Sequence, residues 1–237
     1  MAEKAPQDAK DSLSVSWNDA IRFINQLSHD LRNDLNAIEL QSAYIGELEK
    51  NEEIQGEIKR LREMVSGLAA TLQRLSRDVG DVKPTLISYR AADLIEDLRK
   101  KIDQDLPKQK NEIAWEIQPG NAILNVDPQL LQEVFTELFA NAFRHDRGKG
   151  PLLAKAKIHN NQFLLTLREP KDRFNLPTQN WGREPIRKIT QRHYGLGLNR
   201  VRAIVEAHGG KLHAQYDPNA STLITTLMLP VAGEASD

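Results

Sequence analysis

From Ile54 to Val79 an apolar residue recurs at alternating spacings of four and three: Ile54, Ile58, Leu61, Val65, Leu68, Leu72, Leu75 and Val79. A mean period of 3.5 residues suits an α-helix that buries a continuous seam against other helices, and it suits no extended structure. A second series lies upstream. From Trp17 onward, Ile21, Ile24, Leu31, Leu35, Ile38 and Ile45 recur at spacings of three, four and seven, with Ser28 and Ser42 at the remaining seam positions. The charged break Glu49-Lys50-Asn51-Glu52-Glu53 separates the two series, so they predict an antiparallel helical hairpin. Two helices cannot enclose two such seams alone. The expected solution is a homodimer in which two hairpins form a four-helix bundle. Periodicity by itself favours the blander reading, a coiled-coil dimerisation stalk.

Gly80 and Pro84 end this regime, and the pattern beyond them is mixed. Thr85 to Tyr89, Glu112 to Ile117, Ala122 to Val126, Leu152 to Ile158, Gln162 to Leu167, Lys211 to Tyr216 and Thr222 to Leu229 read as strands. Ala91 to Ile102, Asp127 to His145 and Leu196 to His208 read as helices; the second opens on the capping pair Asp127-Pro128 and the third ends at Gly209-Gly210. An irregular polar stretch is expected between Leu167 and Tyr194. The expected organisation is a mobile tail over 1–14, the hairpin over 15–82, an α+β domain with a mixed sheet and its helices on one face over 83–231, and a tail over 232–237.

Composition narrows the functional classes. Thirty-two Lys and Arg against 33 Asp and Glu give a formal charge of -1, so no global field draws the chain to nucleic acid or to an anionic membrane, and neither is an expected partner. The absence of cysteine excludes disulfides, thiolate metal sites and a cysteine nucleophile. No apolar run has the length of a membrane span and the N-terminus lacks a signal-peptide pattern, so the expected location is cytoplasmic.

Three polar constellations could carry chemistry. In the first helix, His29 lies on the side opposite Ile24, Leu31 and Leu35, where an imidazole is exposed and able to act as a nucleophile; Asp30 follows it and Asn33 lies one turn beyond on the same face. In the helix from Asp127, Glu137 and Asn141 stand one turn apart and Arg144 and His145 follow. At the entrance of the third helix, Gly195-Leu196-Gly197-Leu198 provides glycines where phosphate oxygens could approach free N–H groups. A solvated helix face, an ordinary amphipathic helix and a helix entry account for each of these taken singly.

In order along the chain they form a recognisable set. FINQLSHDLRNDLNAI resembles the phosphoacceptor segment of two-component sensor histidine kinases, commonly S-H-E-L-R-T-P-L; DPQLLQEVFTELFANAFRH resembles their N-box helix; and HYGLGLNRVRAIVEAHGG resembles their second glycine box. The resemblance implies a dimeric four-helix-bundle hairpin domain followed by an α/β two-layer sandwich ATPase-like domain of the type shared with gyrase. It implies phosphorylation of His29, with Asp30 accepting the other ring proton and Asn33 at the position that orients water when a regulator is dephosphorylated. Asp34 stands where the family has a helix-bending proline. In the ATPase-like domain it implies Asn141 as a Mg²⁺ ligand and Glu137 at a position that is Asn in many kinases and Glu in ATP hydrolases. Arg144, His145, Gly195, Leu196, Gly197 and Leu198 would lie near the phosphates of bound ATP. The implied partners are a second copy of the chain, the receiver domain of a response regulator and an upstream sensor protein, since no sensor region is visible in the sequence.

One stretch departs from that pattern. Where the family carries D-x-G-x-G to admit adenine, this chain has Glu169-Pro170-Lys171-Asp172-Arg173, and the later Gly-Thr is Ser221-Thr222. Glu169 replaces the adenine-reading Asp with one extra methylene, and long cationic side chains replace both glycines, which normally closes a site where backbone must approach a ligand. Two readings follow: an ATP-dependent histidine kinase, or a phosphotransfer protein or adaptor with a vestigial ATPase domain. A dimeric scaffold with an inert His29 is the bland third.

Overall fold

The computed structural model describes residues 17–144, 147–174, 178, 179, 181, 182 and 196–232. The chain divides into two compact units, Met1–Gly80 and Asp81–Asp237.

The first unit is a pair of helices, α1 (Trp17–Leu48) and α2 (Glu52–Val79). The turn between them is closed by its own side chains. Glu49 Oε1 accepts the N–H groups of Lys50 and Asn51, each at 2.8 Å, and Asn51 caps α2 by accepting from Glu53 at 2.9 Å and Ile54 at 3.4 Å. Glu52 and Glu53 add negative charge where the helix dipole is positive. With no proline at 34, α1 runs uninterrupted through that position.

Within one chain the α1 series resolves into two stripes. Ile21, Ile24, Ser28, Leu35 and Ser42 are buried or half-buried against α2, as are Ile58, Val65, Leu72 and Val79 of α2. Small residues permit this approach, and Gly46 comes close to Ile58. By contrast Leu27, Leu31, Ile38 and Ile45 of α1 and Ile54, Leu61 and Leu68 of α2 remain exposed, between 39 and 57%.

The second unit is built on a five-stranded sheet. Its strands are β2 (Ile113–Gln118), β4 (Leu152–His159), β5 (Gln162–Pro170), β6 (Lys211–Asp217) and β7 (Thr222–Pro230), in the order β2-β4-β5-β7-β6. The β2–β4 pair is parallel and the other pairs are antiparallel, so the sheet is mixed, as the sequence pattern predicts. A separate antiparallel pair joins β1 (Ile87–Arg90) to β3 (Ile123–Val126). Three helices, α3 (Ala91–Asp105), α4 (Pro128–Arg144) and α5 (Gly197–Ala207), supply the second layer.

Burial alternates along the central strands. Leu152, Ala154 and Ala156 of β4, Phe163, Leu165 and Leu167 of β5, and Leu223, Leu227 and Leu229 of β7 are buried, while their neighbours are more open. The inward rows meet Leu94, Ile95 and Leu98 of α3 and Leu131, Phe135 and Phe139 of α4 in one core. This is a two-layer α/β unit. Among the described residues no helix is long and apolar enough to cross a membrane.

Two local departures from expectation have physical causes. The strand expected from Thr85 begins at Ile87, because the Thr85 N–H is taken by Asp127 Oδ2 at 3.0 Å. The same carboxylate caps α4 through Oδ1, accepting from Gln129 and Leu130 at 3.1 Å. Burial opposes ionisation of Asp127, but the donated N–H groups of Thr85, Leu130 and Gln129 outweigh it and lower its pKa. The second departure is His208, which the sequence pattern marks only as a helix end. Its buried ring accepts the Asp127 N–H at Nε2, 3.0 Å away, and donates Nδ1–H to Ile204 O at 2.7 Å. It therefore ties the start of α4 to the end of α5. Replacing His208 with alanine leaves a backbone donor unsatisfied and should cost about 1–3 kcal/mol, measured by urea unfolding. An unchanged midpoint would refute this role.

Candidate functional site

In the first unit the chemistry centres on His29, on the face of α1 turned away from α2. Its side chain is 67% exposed, and its polar neighbours sit at Nδ1: Asp30 Oδ1, at 3.3 Å, can accept an Nδ1 proton, and Asn33 Nδ2, at 3.5 Å, can donate only when that nitrogen is unprotonated. A proton on Nδ1 directed to Asp30 leaves the Nε2 lone pair facing outward, the form needed for nucleophilic attack. Gln26 Nε2 donates to the same Asp30 oxygen at 2.9 Å. That bond, and then the contact with His29, lower the Asp30 pKa, which keeps it an anionic acceptor. Asn33 lies beside the ring on its Nδ1 side.

In the second unit α4 presents Glu137, Asn141 and Arg144 on one stripe. Asn141 Nδ2 donates to Glu137 Oε1 at 3.0 Å, and Arg144 Nη1 donates to Asn141 Oδ1 at 3.2 Å. Glu137 reaches the N-terminus of α5, where a Cβ on Gly197 would overlap its carboxylate. A side chain at 197 would force the Glu137 carboxylate to move. Leu196 is buried and Leu198 packs against the core, so a ligand contact from either would come from backbone. His145 and Gly195, also expected here, lie outside the described residues. A carboxylate and an amide oxygen one turn apart are a donor set that suits Mg²⁺ shared with phosphates. The residues present fit that end of a nucleotide site.

The other end is different. Glu169 continues the inward row Phe163, Leu165, Leu167 of β5, and its side chain is buried between the sheet and the helices. Lys171, two residues on, is also buried and pairs with it through Nζ. Burial pushes the Glu169 carboxyl up to about 7, against the opposing pull of the Lys171 ammonium and the Arg147 guanidinium. Arg147 also stacks over Phe143, 4.8 Å from the ring centre. The region in which the sequence pattern places the adenine is lined by an internal ion pair, and these residues do not fit an incoming base as they stand. Lys171 and Arg147 were not among the expected site residues. Extending the strand alternation past Leu167 would have pointed Glu169 and Lys171 inward.

The raised Glu169 pKa has a definite sign. Between its ordinary value of 4.5 and about 7 the folded protein binds more protons here than the unfolded chain, so this group's contribution to stability falls as pH rises through that window. Relative to Glu169→Gln, the unmodified protein should lose on the order of 3 kcal/mol across it, read from urea midpoints. Parallel pH profiles for the two proteins would rule this out.

Residues 126–233 match the family described as histidine kinase-, DNA gyrase B-, and HSP90-like ATPase. The sensor histidine kinase ZraS of Klebsiella oxytoca is 26% identical over 227 residues, covering 89% of this chain and 46% of that protein. The sensor histidine kinase HprS of Escherichia coli is 28% identical over 207 residues, covering 82% of this chain and 44% of that protein. The chain thus spans less than half the length of these curated relatives. Among solved structures, full-length ShkA in complex with AMPPNP has a TM-score of 0.65 at 16% identity, over 91% of this chain and 47% of that one. That likeness concerns the fold.

Proposed function

We propose that this chain acts as a member of the two-component histidine kinase family, the reading that the match over residues 126–233 and the sensor histidine kinase relatives support, and that His29 accepts a phosphoryl group at Nε2 and passes it to an aspartate of a response-regulator receiver domain. The observation that carries this reading is the outward-facing His29 ring, held through Nδ1 by an anionic Asp30. In the forward step the Nε2 lone pair attacks phosphorus as the bond to the leaving oxygen breaks. The Nδ1 proton stays on the ring, directed at Asp30, and the positive charge that develops there is compensated by the carboxylate. In the onward step the Nε2–P bond breaks and the phosphoryl group moves to the receiver carboxylate. Asn33 is positioned to hold a water or a phosphoryl oxygen beside the ring.

The α4–α5 cluster supports ATP and Mg²⁺ as the source of the phosphoryl group. Asn141 and Glu137 would hold the metal, with Gly197 and the N-terminus of α5 beside the phosphates and Arg144 next to them. ATP bound there supplies a transferable γ-phosphoryl group. The buried Glu169–Lys171 pair favours a second reading, in which the ATPase-like domain no longer turns over nucleotide and His29 is charged from another phosphorylated protein. Both readings use the same histidine.

The exposed apolar stripe on α1 and α2 supports dimerisation with a second copy into a four-helix bundle. The test is to incubate the full chain with ATP·Mg²⁺ and, separately, with a phosphorylated receiver domain. Acid-labile, alkali-stable phosphate on the protein in at least one of them supports the proposal. No such phosphate from either donor would defeat it.

A further inference from the structure

Glu169 stands at the end of an apolar row, between the sheet and the helical layer, where a carboxylate needs a donor. Its donor comes from two residues along the same strand end. Lys171 turns to the same side as Glu169, and both side chains are less than a tenth exposed. The backbone that carries the lysine is well secured. The Lys171 N–H donates to Ser221 O at 2.8 Å, and Tyr216 Oη donates to Lys171 O at 3.2 Å. Phe174 packs against both Tyr216 and Trp181, with ring centres 5.5 and 5.8 Å apart, holding the chain just beyond the pair. On the other side the Gly148 N–H donates to Pro170 O at 2.8 Å, and a Cβ at Gly148 would press on Asp172. The main chain on both sides of the pair is thereby fixed.

An exocyclic amino group of a nucleobase offers a carboxylate N–H donors, and an ammonium offers the same with a full positive charge. We infer that Lys171 is an internal occupant of the base end of this domain, satisfying Glu169 in place of an adenine amino group, and that removing it uncovers an adenine-selective site. The inference deepens the reading of the second unit as a nucleotide domain and rests on it. It explains why one end of the domain retains an oxygen-donor cluster at Glu137 and Asn141 while the other does not fit a base. The charged occupant also makes exclusion stronger than steric filling would, because a neutral base must displace a buried ion pair to reach Glu169. Lys171 is in these terms a specificity-determining residue acting against adenine.

The test is calorimetry of the full chain with ATP and with GTP, each with Mg²⁺, on the unmodified protein and on Lys171→Gly. The unmodified protein should bind both nucleotides weakly and with little discrimination. Lys171→Gly should bind ATP at least about tenfold more tightly than the unmodified protein, and in preference to GTP, since Glu169 is then free to accept from an amino group. A folded Lys171→Gly with no gain, or an unmodified protein that already binds ATP tightly and selectively, would overturn the inference. Lys171→Gly leaves a buried carboxylate without this partner, so Glu169→Gln/Lys171→Gly is made alongside it. With the Glu169–Lys171 pair removed it should also bind ATP more tightly than the unmodified protein, and unchanged affinity in it counts equally against the inference. His29 labelling from a phosphorylated receiver is followed on the same samples. Labelling without a gain in affinity removes only the role of Lys171, whereas an unmodified protein that takes phosphate neither from the receiver nor from ATP·Mg²⁺ removes the functional reading itself.

Discussion

Substituting His29 with glutamine is expected to abolish phosphoryl uptake from every donor while leaving the helical hairpin folded. The side chain is 67% exposed, so glutamine at that position creates no cavity and strands no buried group. What is lost is the only nitrogen nucleophile in the cluster, because the amide of Gln26 or Asn33 has no basic lone pair on nitrogen. Asp30→Asn separates positioning from nucleophilicity. It removes the carboxylate that compensates charge on the ring, and a loss of about 10²-fold or more in the rate of uptake is expected, with the final site of phosphate unchanged. Labelling is followed by acid-sensitive phosphate counting and folding by circular dichroism. Undiminished labelling of folded His29→Gln would mean that another residue carries the phosphate.

The second large effect concerns assembly. Leu61 and Leu68 of α2 are 41% and 57% exposed in the single chain and lie on the stripe that the dimer reading buries. Changing both to aspartate places two charges from each copy in the centre of the expected bundle, at a cost of several kcal/mol for each charge left unpaired. The unmodified protein should scatter light as a dimer at micromolar concentration, and Leu61→Asp/Leu68→Asp should scatter as a monomer. Leu72 is less suited to the test, because it is half-buried within the chain's own hairpin and its loss would disturb the fold as well as the assembly. A monomeric unmodified protein would refute the four-helix reading.

The hairpin was legible in the sequence because a 3.5-residue repeat calls for helices packed along a seam, the charged break between the two series marks a turn, and Asn51 and Glu49 supply the turn chemistry locally. Periodicity could not divide the α1 series into the stripe that meets α2 and the stripe left exposed. Leu31 and Leu35 occupy equivalent seam positions in one dimension, and only the packing of α2 separates them. In the second unit, strand alternation and the Asp127-Pro128 cap fixed the elements to within a few residues. The order β2-β4-β5-β7-β6 is set by contacts between distant segments, and the sequence pattern contains no direct sign of it. The same distinction holds for the site. Glu137 and Asn141 share a helix face, so their meeting follows from spacing, whereas the approach of Glu137 to Gly197 requires α4 and α5 to pack. The Lys171–Glu169 pair was open to strand reasoning, yet the expected strand stopped at Leu167, where the apolar run ends, although pairing with β7 continues to Pro170. His208 was missed because its partner is 81 residues away.

The most direct measurement of the central claim is ³¹P NMR of the full chain after exposure to a phosphorylated receiver domain or to ATP·Mg²⁺, combined with mapping of the phosphopeptide. With Asp30 and Asn33 gathered at Nδ1, the account predicts one phosphohistidine, on the peptide containing His29 and with phosphorus on Nε2. Phosphate on Nδ1 of that ring, on another residue, or absent after both treatments would contradict it.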